Sequence, residues 1–499
     1  MDDPVGAPRH IASLRAGRGQ RRYDEERGCY VYDISFRARS PLTDRVIAVA
    51  EAFGLGVDEE KTHVVYRDFE LRLGEGDVVY IMGDSGGGKS LLLRALREDL
   101  GGEAATVGEL PEPPTGPVID AVGGSFGEAL DLLSRVGLND AHLFLKGYGE
   151  LSDGQRHRFR LAQLLEAGKK YWLLDEFCST LDRETAKIVA YNAQRQARRT
   201  GSTLVVATAH TDLEEDLSPS VLIRKGWGQD VSVEYRPNQG APNCTVMKEV
   251  AIRESCGDEY RRLAHLHYRE EDAPVPQRYY AAELAGQIVG VIVYSYPPVA
   301  NGGRRLAVGY APNLEELNRD WTIISRVIVH PKYRSTGLGS RLIRDTLPVQ
   351  GLRHVELTAV MARYNSFAER AGMRLILTRE PHPAIVEAVE AMKRLGFNPA
   401  LMGSRGYNQR ALGGLGEGER ELLRQALLGV SSQYYKRLSR KGDAYVRSGD
   451  FELWLSAQDD ASLAHTLKTL SILNQAKVYL YWCSDWHEPI NKANNVQKT

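Results

Sequence analysis

The chain has 499 residues, which is too long for one hydrophobic core, so we expect roughly two to four domains. Its 64 lysines and arginines balance 65 aspartates and glutamates, so the overall charge indicates no polyanionic partner, and any such contact must come from a local patch. The five cysteines are scattered without zinc-site spacing, which argues against a disulfide framework and predicts a reducing, cytoplasmic setting. The most apolar stretches are far shorter than the ~20 residues that cross a bilayer, so we expect no membrane-spanning segment and no membrane partner.

The first half of the chain is predicted to be an α/β domain behind a basic extension. Residues 1–44 are basic and polar, and we interpret them as a flexible, solvated tail, with a nucleic-acid-binding arm as the alternative. Residues 45–235 contain the buried-strand patterns Val78–Met82, Tyr171–Leu174 and Thr203–Thr208, separated by helical sequence. Helices that alternate with buried strands predict a parallel sheet.

The second half is predicted to hold another α/β domain and then helices. A turn-rich joint at 237–244 marks the boundary, and residues 245–380 again alternate between strand and helix patterns. Beyond this domain, apolar residues recur at helical spacing, so residues 381–499 are predicted to form a mainly helical C-terminal region.

A glycine-rich loop in the first domain predicts a nucleotide site. It fits the pattern G-x-x-x-x-G-K-[ST] between a strand and a helix, and its residues are Gly83, Asp84, Ser85, Gly86, Gly87, Gly88, Lys89 and Ser90. Glycines allow backbone N–H groups to curl around phosphates, Lys89 reaches the β- and γ-phosphate oxygens, and the Ser90 hydroxyl binds Mg²⁺. The predicted ligands are therefore ATP and Mg²⁺.

A second motif places two carboxylates at the end of the strand Tyr171–Leu174. We predict that Asp175, together with Ser90, holds Mg²⁺, and that Glu176 orients or deprotonates the attacking water. Acidic residues at strand ends are common, so this motif predicts a magnesium site only in combination with the glycine-rich loop.

Three further motifs complete a resemblance. Leu151–Gln155, with the sequence LSDGQ, resembles the LSGGQ signature of the ATP-binding-cassette ATPases, with Asp in place of one Gly. Ser179–Asp182 matches the D-loop of that family, and His210 matches its switch histidine, although it could also be a structural histidine. With the two preceding motifs in the right order, residues 45–235 resemble this family.

The resemblance implies a mechanism and a partner. Two cassettes would sandwich ATP head to tail, with the signature residues Ser152, Gly154 and Gln155 of one chain closing on the nucleotide bound to the other. One chain carries one cassette, so a homodimer is expected. His210 would act in catalysis, and Phe53 is a candidate for stacking on adenine, with an ordinary core aromatic as the alternative.

The sequence also departs from that family. Glutamine is absent from residues 101–150, so the glutamine of the family's Q-loop is missing or replaced and the helical subdomain must be short. Transporters couple to their membrane partners through that subdomain, so its reduction argues against transport. Other members of the family act on DNA, RNA or ribosomes, which favours nucleic acid as the partner.

The second domain resembles the GNAT acetyltransferases. After the strand Ile324–His330, Arg334, Gly337 and Gly339 occupy the positions of the family's R/Q-x-x-G-x-G/A turn, which holds the pyrophosphate of acetyl-CoA at a helix N-terminus. The segment Asn365–Met373 resembles the closing element of the family. The resemblance implies acetyl-CoA or another acyl-CoA as the donor.

The usual acid of the acetyltransferases is absent. Its position, just before the glutamate of the closing element, is taken here by Ala368. We predict Tyr364, one helical turn earlier, as the substitute acid for the departing thiolate.

Short patches point to a nucleic-acid-modifying branch of this fold. His267-Tyr268, Ser325-Arg326 and Arg363-Tyr364 resemble the phage Mom branch, which modifies adenine in DNA. The alternative is that His265, His267 and Tyr268 pack under the sheet. Ser431–Lys441 interleaves basic and aromatic residues, which is typical of a nucleic-acid contact or of a solvated helix face.

The whole chain resembles ABC ATPases fused to a predicted acetyltransferase. The leading hypothesis is an ATP-hydrolysing acyltransferase that modifies nucleic acid. One alternative is an ATP-driven nucleic-acid clamp whose GNAT fold does not catalyse. Another is an ATP-gated N-acetyltransferase of proteins or small amines.

Overall fold

The computed structural model describes residues 10–12, 20–24, 26, 29–38, 43–54, 61–113, 115–138, 140–267, 274–360, 362, 365–439 and 448–487. Contacts divide the chain into two compact units, Met1–Val293 with Arg326–Val349, and Tyr294–Ser325 with Gln350–Thr499. Within the described part of the chain, no helix is both long and apolar enough to span a bilayer.

The elements as far as the first joint are, in chain order, β1 His10–Ala12, β2 Gln20–Asp24, β3 Cys29–Ala38, α1 Asp44–Phe53, β4 Lys61–Phe69, β5 Leu71–Leu73, β6 Val78–Gly83, α2 Lys89–Leu100, β7 Ala104–Thr106, α3 Phe126–Arg135, α4 Ala141–Phe144, α5 Asp153–Ala167, β8 Tyr171–Leu174, α6 Arg183–Thr200, β9 Thr203–Thr208, α7 Glu214–Leu217, β10 Val221–Lys225 and β11 Val231–Tyr235.

Six of these strands form a sheet in the order β11-β10-β6-β9-β8-β7, in which every pair is parallel except β10 with β11. The predicted parallel sheet is therefore confirmed. Because the carboxyl ends of parallel strands meet at one edge, the loops after β6, β8 and β9 lie at the same edge of the sheet.

Helix α6 packs closely because of its small residues. Asp182 caps its first turn, and Gly201 ends it in the left-handed conformation. Four alanines at helical spacing, Ala186, Ala190, Ala193 and Ala197, are completely buried. Such small side chains let the helix backbone approach its neighbours.

The N-terminal residues depart from our interpretation of a solvated tail. β1 pairs with β5, and β3 pairs with both β2 and β4. Ile34 in β3 is completely buried in the core shared with β6 and α2. The tail interpretation is wrong for these strands, because their backbone groups are paired within sheets.

The remaining elements are β12 Ala251–Ser255, α8 Gly257–Ala264, β13 Pro276–Leu284, β14 Gln287–Ser295, α9 Arg304–Val308, α10 Leu314–Asp320, β15 Trp321–Val329, α11 Leu338–Thr346, β16 His354–Ala359, β17 Arg374–Arg379, α12 Pro383–Arg394, α13 Arg405–Gly413, α14 Glu417–Leu428, α15 Tyr435–Leu438, α16 Phe451–Ser456, α17 Asp460–Leu473 and β18 Lys477–Cys483.

Seven strands form the second large sheet, in the order β12-β13-β14-β15-β16-β18-β17. β14 and β15 each begin in one unit and end in the other. The last strand in the chain, β18, pairs antiparallel with both β16 and β17. Helices α12 to α17 are thus an insertion between two strands of this sheet, and the region that we predicted as mainly helical also contributes a strand.

The inserted helices build a core of their own. Tyr434 is buried there, and the ring of Tyr435 stacks on Phe451 with their centroids 4.0 Å apart. Tyr434 is thus part of the helical core and Tyr435 is half-buried against it, so neither ring is freely exposed for stacking on bases. In this basic and aromatic segment, residues 440 and 441 lie outside the described part.

Candidate active site

The loop after β6 needs glycine for two separate reasons. Gly83, Gly86 and Gly88 all have positive φ, at 148°, 80° and 97°. A Cβ on Gly83 would lie 2.1 Å from the carbonyl oxygen of Lys225, and one on Gly88 would lie 2.3 Å from a methyl carbon of Val65. The backbone conformation and the close neighbours therefore both exclude larger residues.

Lys89 brings the loop and the acidic motif together. Its Nζ donates to the carbonyl oxygens of Gly83 at 2.6 Å and Asp84 at 2.7 Å. Burial lowers the pKa of Lys89, and the nearby Asp175 and Asp84 oppose that shift. The predicted phosphate-binding lysine and the predicted magnesium-binding aspartate therefore lie in one site.

The loop residues fit a nucleoside triphosphate bound with magnesium. Helix α2 starts after Gly88 without a side-chain cap, so no side chain occupies its first N–H groups. Asp84 and Gly87 close a turn, in which the Gly87 N–H donates to the Asp84 carbonyl at 3.2 Å, and Ser85 and Gly86 lie within it. Ser90 is the second residue of α2. Among the described residues no cluster of three or more metal-binding side chains occurs, so a cation here would rely on phosphate oxygens beside Ser90 and Asp175.

Glu176 sits in a strained turn directly after Asp175. Its φ is 46°, which is unusual for a residue with a side chain, and its N–H donates to Asp175 Oδ1 at 3.0 Å. The Phe177 N–H donates to the Ala207 carbonyl of β9 at 2.9 Å, which fixes the turn on the sheet. Glu176 is exposed, and its action on an attacking water stays a prediction.

His210 connects the end of β9 to the start of α6. Its Nδ1 lies 2.5 Å from a guanidinium nitrogen of Arg183, and its Nε2 lies 3.3 Å from the Cys178 carbonyl oxygen. The Tyr80 hydroxyl donates to the backbone carbonyl of His210. The imidazole therefore contacts the turn that carries Glu176, and its catalytic role stays a prediction.

The signature residues form the N-terminus of α5. Ser152 and Gln155 cap each other, with the Ser152 N–H donating to Gln155 Oε1 at 3.0 Å and the Gln155 N–H to Ser152 Oγ at 3.4 Å. A Cβ on Gly154 would lie 2.7 Å from the Thr185 methyl group in α6. Gly154 therefore allows α5 and α6 to approach closely, and nucleotide contact by these three residues across a dimer stays a prediction.

Phe53, the candidate for adenine stacking, is the last residue of α1. Its side chain is 76% exposed, so the alternative of an ordinary core aromatic is wrong. Its contact with a base stays a prediction.

The loop after β15 also leads into a helix start, but its arginine is already paired with a carboxylate. Helix α11 starts after Gly337, which is exposed and has a φ of 91°, and Gly339 is in its first turn. The helix start has no side-chain cap, so it fits an anionic ligand such as a pyrophosphate. The Arg334 side chain, however, donates to Asp140 Oδ2 at 2.6 Å and to the Val329 carbonyl at 3.0 Å. This ion pair competes with the predicted contact between Arg334 and pyrophosphate.

Two more residues of that loop bind carboxylates at the start of α6. Lys332 Nζ lies 2.8 Å from Asp182 Oδ1 and 2.7 Å from Glu184 Oε2, and the Tyr333 hydroxyl donates to Glu184 at 2.8 Å. Burial raises the pKa of Asp182, but hydrogen bonds from Lys332 and Thr185 outweigh it and lower that pKa to about 2. Sequence reasoning missed these pairs, because nothing in the spacing of the residues relates them.

The predicted acyl-transfer residues are only partly described. Ala368, at the position of the usual acid, is completely buried. Tyr364, Arg363 and Tyr268 lie outside the described residues, so the substitute acid stays a prediction. Arg326 is buried in β15, and Ser325 Oγ lies 2.7 Å from Ser295 Oγ.

A buried ion pair that sequence reasoning did not find anchors the other unit. Glu356 in β16 is completely buried, with its oxygens 2.7 and 3.1 Å from nitrogens of Arg304. The Tyr479 hydroxyl donates to the same carboxylate at 3.0 Å. Arg304 also donates to the carbonyls of Pro298 and Val299, so the pair fixes the segment between β14 and α9.

Known proteins match the two halves of the chain separately. The family model of the acetyltransferase (GNAT) family matches residues 247–372. An aliphatic sulfonates import ATP-binding protein of Xanthomonas axonopodis pv. citri is 30% identical over 236 residues, which cover 41% of this chain and 93% of the relative. A cytochrome c biogenesis ATP-binding export protein of Aliivibrio fischeri is 26% identical over 193 residues, which cover 33% of this chain and 93% of the relative.

Solved structures resemble the first half. A dimeric post-hydrolysis state of an ATP-binding cassette bound to ADP and phosphate is 20% identical with a TM-score of 0.30, covering 36% of this chain and 93% of that one. An inward-facing metal-chelate type ABC transporter is also 20% identical, with a TM-score of 0.30. The match covers 45% of this chain and 91% of that one.

Proposed function

The chain belongs to the ATP-binding-cassette ATPases and carries a GNAT domain fused to the cassette, and on this premise we propose that it couples ATP hydrolysis to acyl transfer onto nucleic acid. The observation that carries the ATPase part is the single site in which the glycine-rich loop, Lys89 and Asp175 lie together. ATP and Mg²⁺ are the ligands that the cassette family implies, and acyl-CoA is the donor that the GNAT family implies.

In the proposed ATPase reaction each side chain has one task. Lys89 and the backbone N–H groups at the start of α2 hold the phosphates, and Ser90 and Asp175 hold Mg²⁺, which supplies positive charge to the phosphate oxygens. Glu176 orients or deprotonates the attacking water from its exposed position at the strand end. His210 steadies the turn of Glu176 through the Cys178 carbonyl.

The proposed assembly is a homodimer that closes on ATP. Ser152, Gly154 and Gln155 at the start of α5 would meet the nucleotide of the second copy. The mutual cap of Ser152 and Gln155 keeps this helix start ordered for such a contact.

In the proposed acyl transfer, an amino group of a base attacks the thioester carbonyl of acyl-CoA. The new C–N bond forms and the C–S bond breaks. The attacking nitrogen loses one proton to solvent water, the departing thiolate takes up one proton, for which Tyr364 is the proposed source, and water returns a proton to Tyr364. A base inside a duplex must first leave the stack, which costs a few kcal/mol, and closure of the ATP-bound dimer would offset that cost.

A second candidate function is an ATP-driven nucleic-acid clamp with a GNAT fold that does not catalyse. Two observations favour it. Ala368 leaves no acid at the usual position, and Arg334 is paired with Asp140.

The first experiment measures ATP hydrolysis by the full chain with and without duplex DNA, single-stranded DNA and RNA. We expect one nucleic acid to stimulate hydrolysis, and Glu176→Gln to abolish the stimulated rate. Glu98→Gln makes the same chemical change at an exposed position of α2 and serves as the control. Hydrolysis that no nucleic acid stimulates would contradict the nucleic-acid proposal.

Mass spectrometry of the stimulating nucleic acid, after incubation with acetyl-CoA and ATP, separates the two candidates. An acylated base supports the acyltransferase. Unmodified bases, together with nucleic-acid retention that depends on ATP, support the clamp.

A further inference from the structure

The loop that follows β15 is fastened to the cassette at the start of α6. Lys332 bridges Asp182 and Glu184, at 2.8 and 2.7 Å, and the Tyr333 hydroxyl donates to Glu184 at 2.8 Å. All these residues belong to one compact unit. The Lys332 side chain is partly buried, whereas the Asp182 side chain is 59% exposed, so solvent reaches this pair from the acidic side and the hydrogen bonds of Lys332 and Tyr333 to Glu184 reinforce it.

One carboxylate that Lys332 binds, Asp182, ends the turn that begins at Glu176, and the other, Glu184, lies in the first turn of α6. The Ser179 N–H donates to the Glu176 carbonyl at 3.0 Å, and the Leu181 N–H donates to the Cys178 carbonyl at 3.1 Å. Asp182 then caps α6, accepting from the N–H and the hydroxyl of Thr185 at 3.1 and 2.6 Å. Only five residues, 177 to 181, therefore lie between Glu176 and the Asp182 carboxylate that Lys332 holds, and they form a hydrogen-bonded turn.

The same loop is also fixed to the helix of the signature motif. Arg158 in α5 is only 3% exposed, and it donates to the carbonyls of Pro331 at 3.2 Å and Lys332 at 2.7 Å. Lys332 thus connects α5, which Ser152 caps, with the turn of Glu176.

The packing around Ser335 leaves little room for the loop to shift by itself. The Ser335 hydroxyl accepts from Asn192 Nδ2 at 2.6 Å, and its carbonyl accepts from Arg195 at 3.2 Å. A Cβ on Gly137 would lie 2.4 Å from Ser335 Oγ. A movement of this loop must therefore move α6 with it.

We propose that Lys332 and Tyr333 are positioning residues for ATP hydrolysis, supplied to the cassette by the loop of the GNAT domain. They hold Asp182 and Glu184, and through the hydrogen-bonded turn they keep Glu176 aligned with its water. The inference rests on the proposed function only in taking Glu176 as the residue that acts on the water. It assigns a role in the ATPase site to residues of the second domain.

The kinetic test compares Lys332→Gln, Lys332→Arg and Tyr333→Phe in the full chain. We expect Lys332→Gln to lower kcat for ATP by about tenfold while KM changes less than about twofold, since the phosphates are held elsewhere. Lys332→Arg should restore most of the rate, and Tyr333→Phe should cause a smaller loss. Arg344→Gln makes a matched change at an exposed position of α11 and should behave as wild type. A wild-type kcat in Lys332→Gln would overturn the proposal.

Hydrogen exchange gives a second readout that needs no hydrolysis. The amides of Ser179 and Leu181 should exchange about tenfold faster in Lys332→Gln than in wild type, and not in Arg344→Gln. Equal exchange in wild type and Lys332→Gln would overturn the proposal even if the kinetics had changed. A wild-type chain without ATP hydrolysis would instead refute the proposed function, and the exchange rates would still decide whether Lys332 holds the turn.

Discussion

Two glycine-rich loops of this chain share one local design. In each, a buried strand ends, the chain turns, and a helix begins after a glycine in the left-handed conformation, with φ 97° at Gly88 and 91° at Gly337. Neither helix has a side-chain cap. By local backbone chemistry both loops are suited to an anion.

Their charged side chains are used differently. In the first loop, Lys89 Nζ donates to carbonyl oxygens of the loop itself, and among the described residues the carboxylates of Asp175 and Asp84 act on it only through their charge. In the second, Lys332 binds Asp182 and Glu184, and Arg334 binds Asp140. A phosphate-binding sequence pattern thus sets the backbone conformation of a loop, whereas the surrounding fold decides which charged side chains a ligand can meet.

The largest expected effect breaks the first loop. Gly83→Ala would place a Cβ 2.1 Å from the Lys225 carbonyl oxygen, so the loop must move, and we expect ATP affinity to fall by about 100-fold and unfolding free energy by about 3 kcal/mol. Gly86→Ala is the matched control, because a Cβ there meets no atom within 4 Å and pays only the left-handed strain of about 1–2 kcal/mol. Titration with ATP measures the affinity of each variant, and denaturant unfolding measures its free energy of unfolding. Equal effects would show that conformation, and not the close neighbour, requires the glycine.

The next largest effect is expected when the second loop loses its hydrogen bonds from Arg158. Arg158→Ala leaves the carbonyls of Pro331 and Lys332 without their buried donor, so we expect a loss of about 2–4 kcal/mol in the free energy of unfolding. Arg199→Ala, at an exposed position of α6, should change it by less than about 0.5 kcal/mol. If the two variants unfold alike in urea, the loop does not depend on Arg158.

The smallest expected effect comes from weakening the ion pair of Arg334, which makes the charge of the second loop as available to a ligand as that of the first. Asp140→Asn weakens the ion pair with Arg334, which frees the guanidinium for phosphate, so we expect acetyl-CoA to bind about fivefold more tightly. Asp131→Asn, in the more exposed pair with Arg135, is the control and should leave the affinity unchanged. Calorimetric titration measures both, and an unchanged affinity in Asp140→Asn would mean that Arg334 takes no part in binding the donor.

The strand–loop–helix motifs were predictable because their chemistry is contiguous in the chain. The loop from Gly83 to Ser90 and the acids after β8 each follow a buried strand, and parallel pairing with β9 brings them to one sheet edge. The sequence predicted Gly154 as a signature residue but not its contact with Thr185, since that contact depends on how α5 and α6 pack.

The N-terminal strands and the return of β18 were not predictable from local pattern. Strands such as β2 and β3 take their stability from partners, and their polar, arginine-containing sequence resembles a solvated tail until β4 pairs with it. β18 joins its sheet only after six helices have intervened, and sequence spacing alone does not reveal such a long-range pairing.

The two families and the order of the motifs can be recognised in the sequence, and the residues of the glycine-rich loop can be predicted from it, because each motif lies within a few consecutive residues. The partners of the charged side chains in the second loop follow from packing and cannot be recognised in the sequence. Arg334 and Asp140 are 194 residues apart in the chain, and Tyr333 and Glu184 are 149 apart. An ion pair depends on the distance between two charges in space, and packing, not sequence spacing, sets that distance.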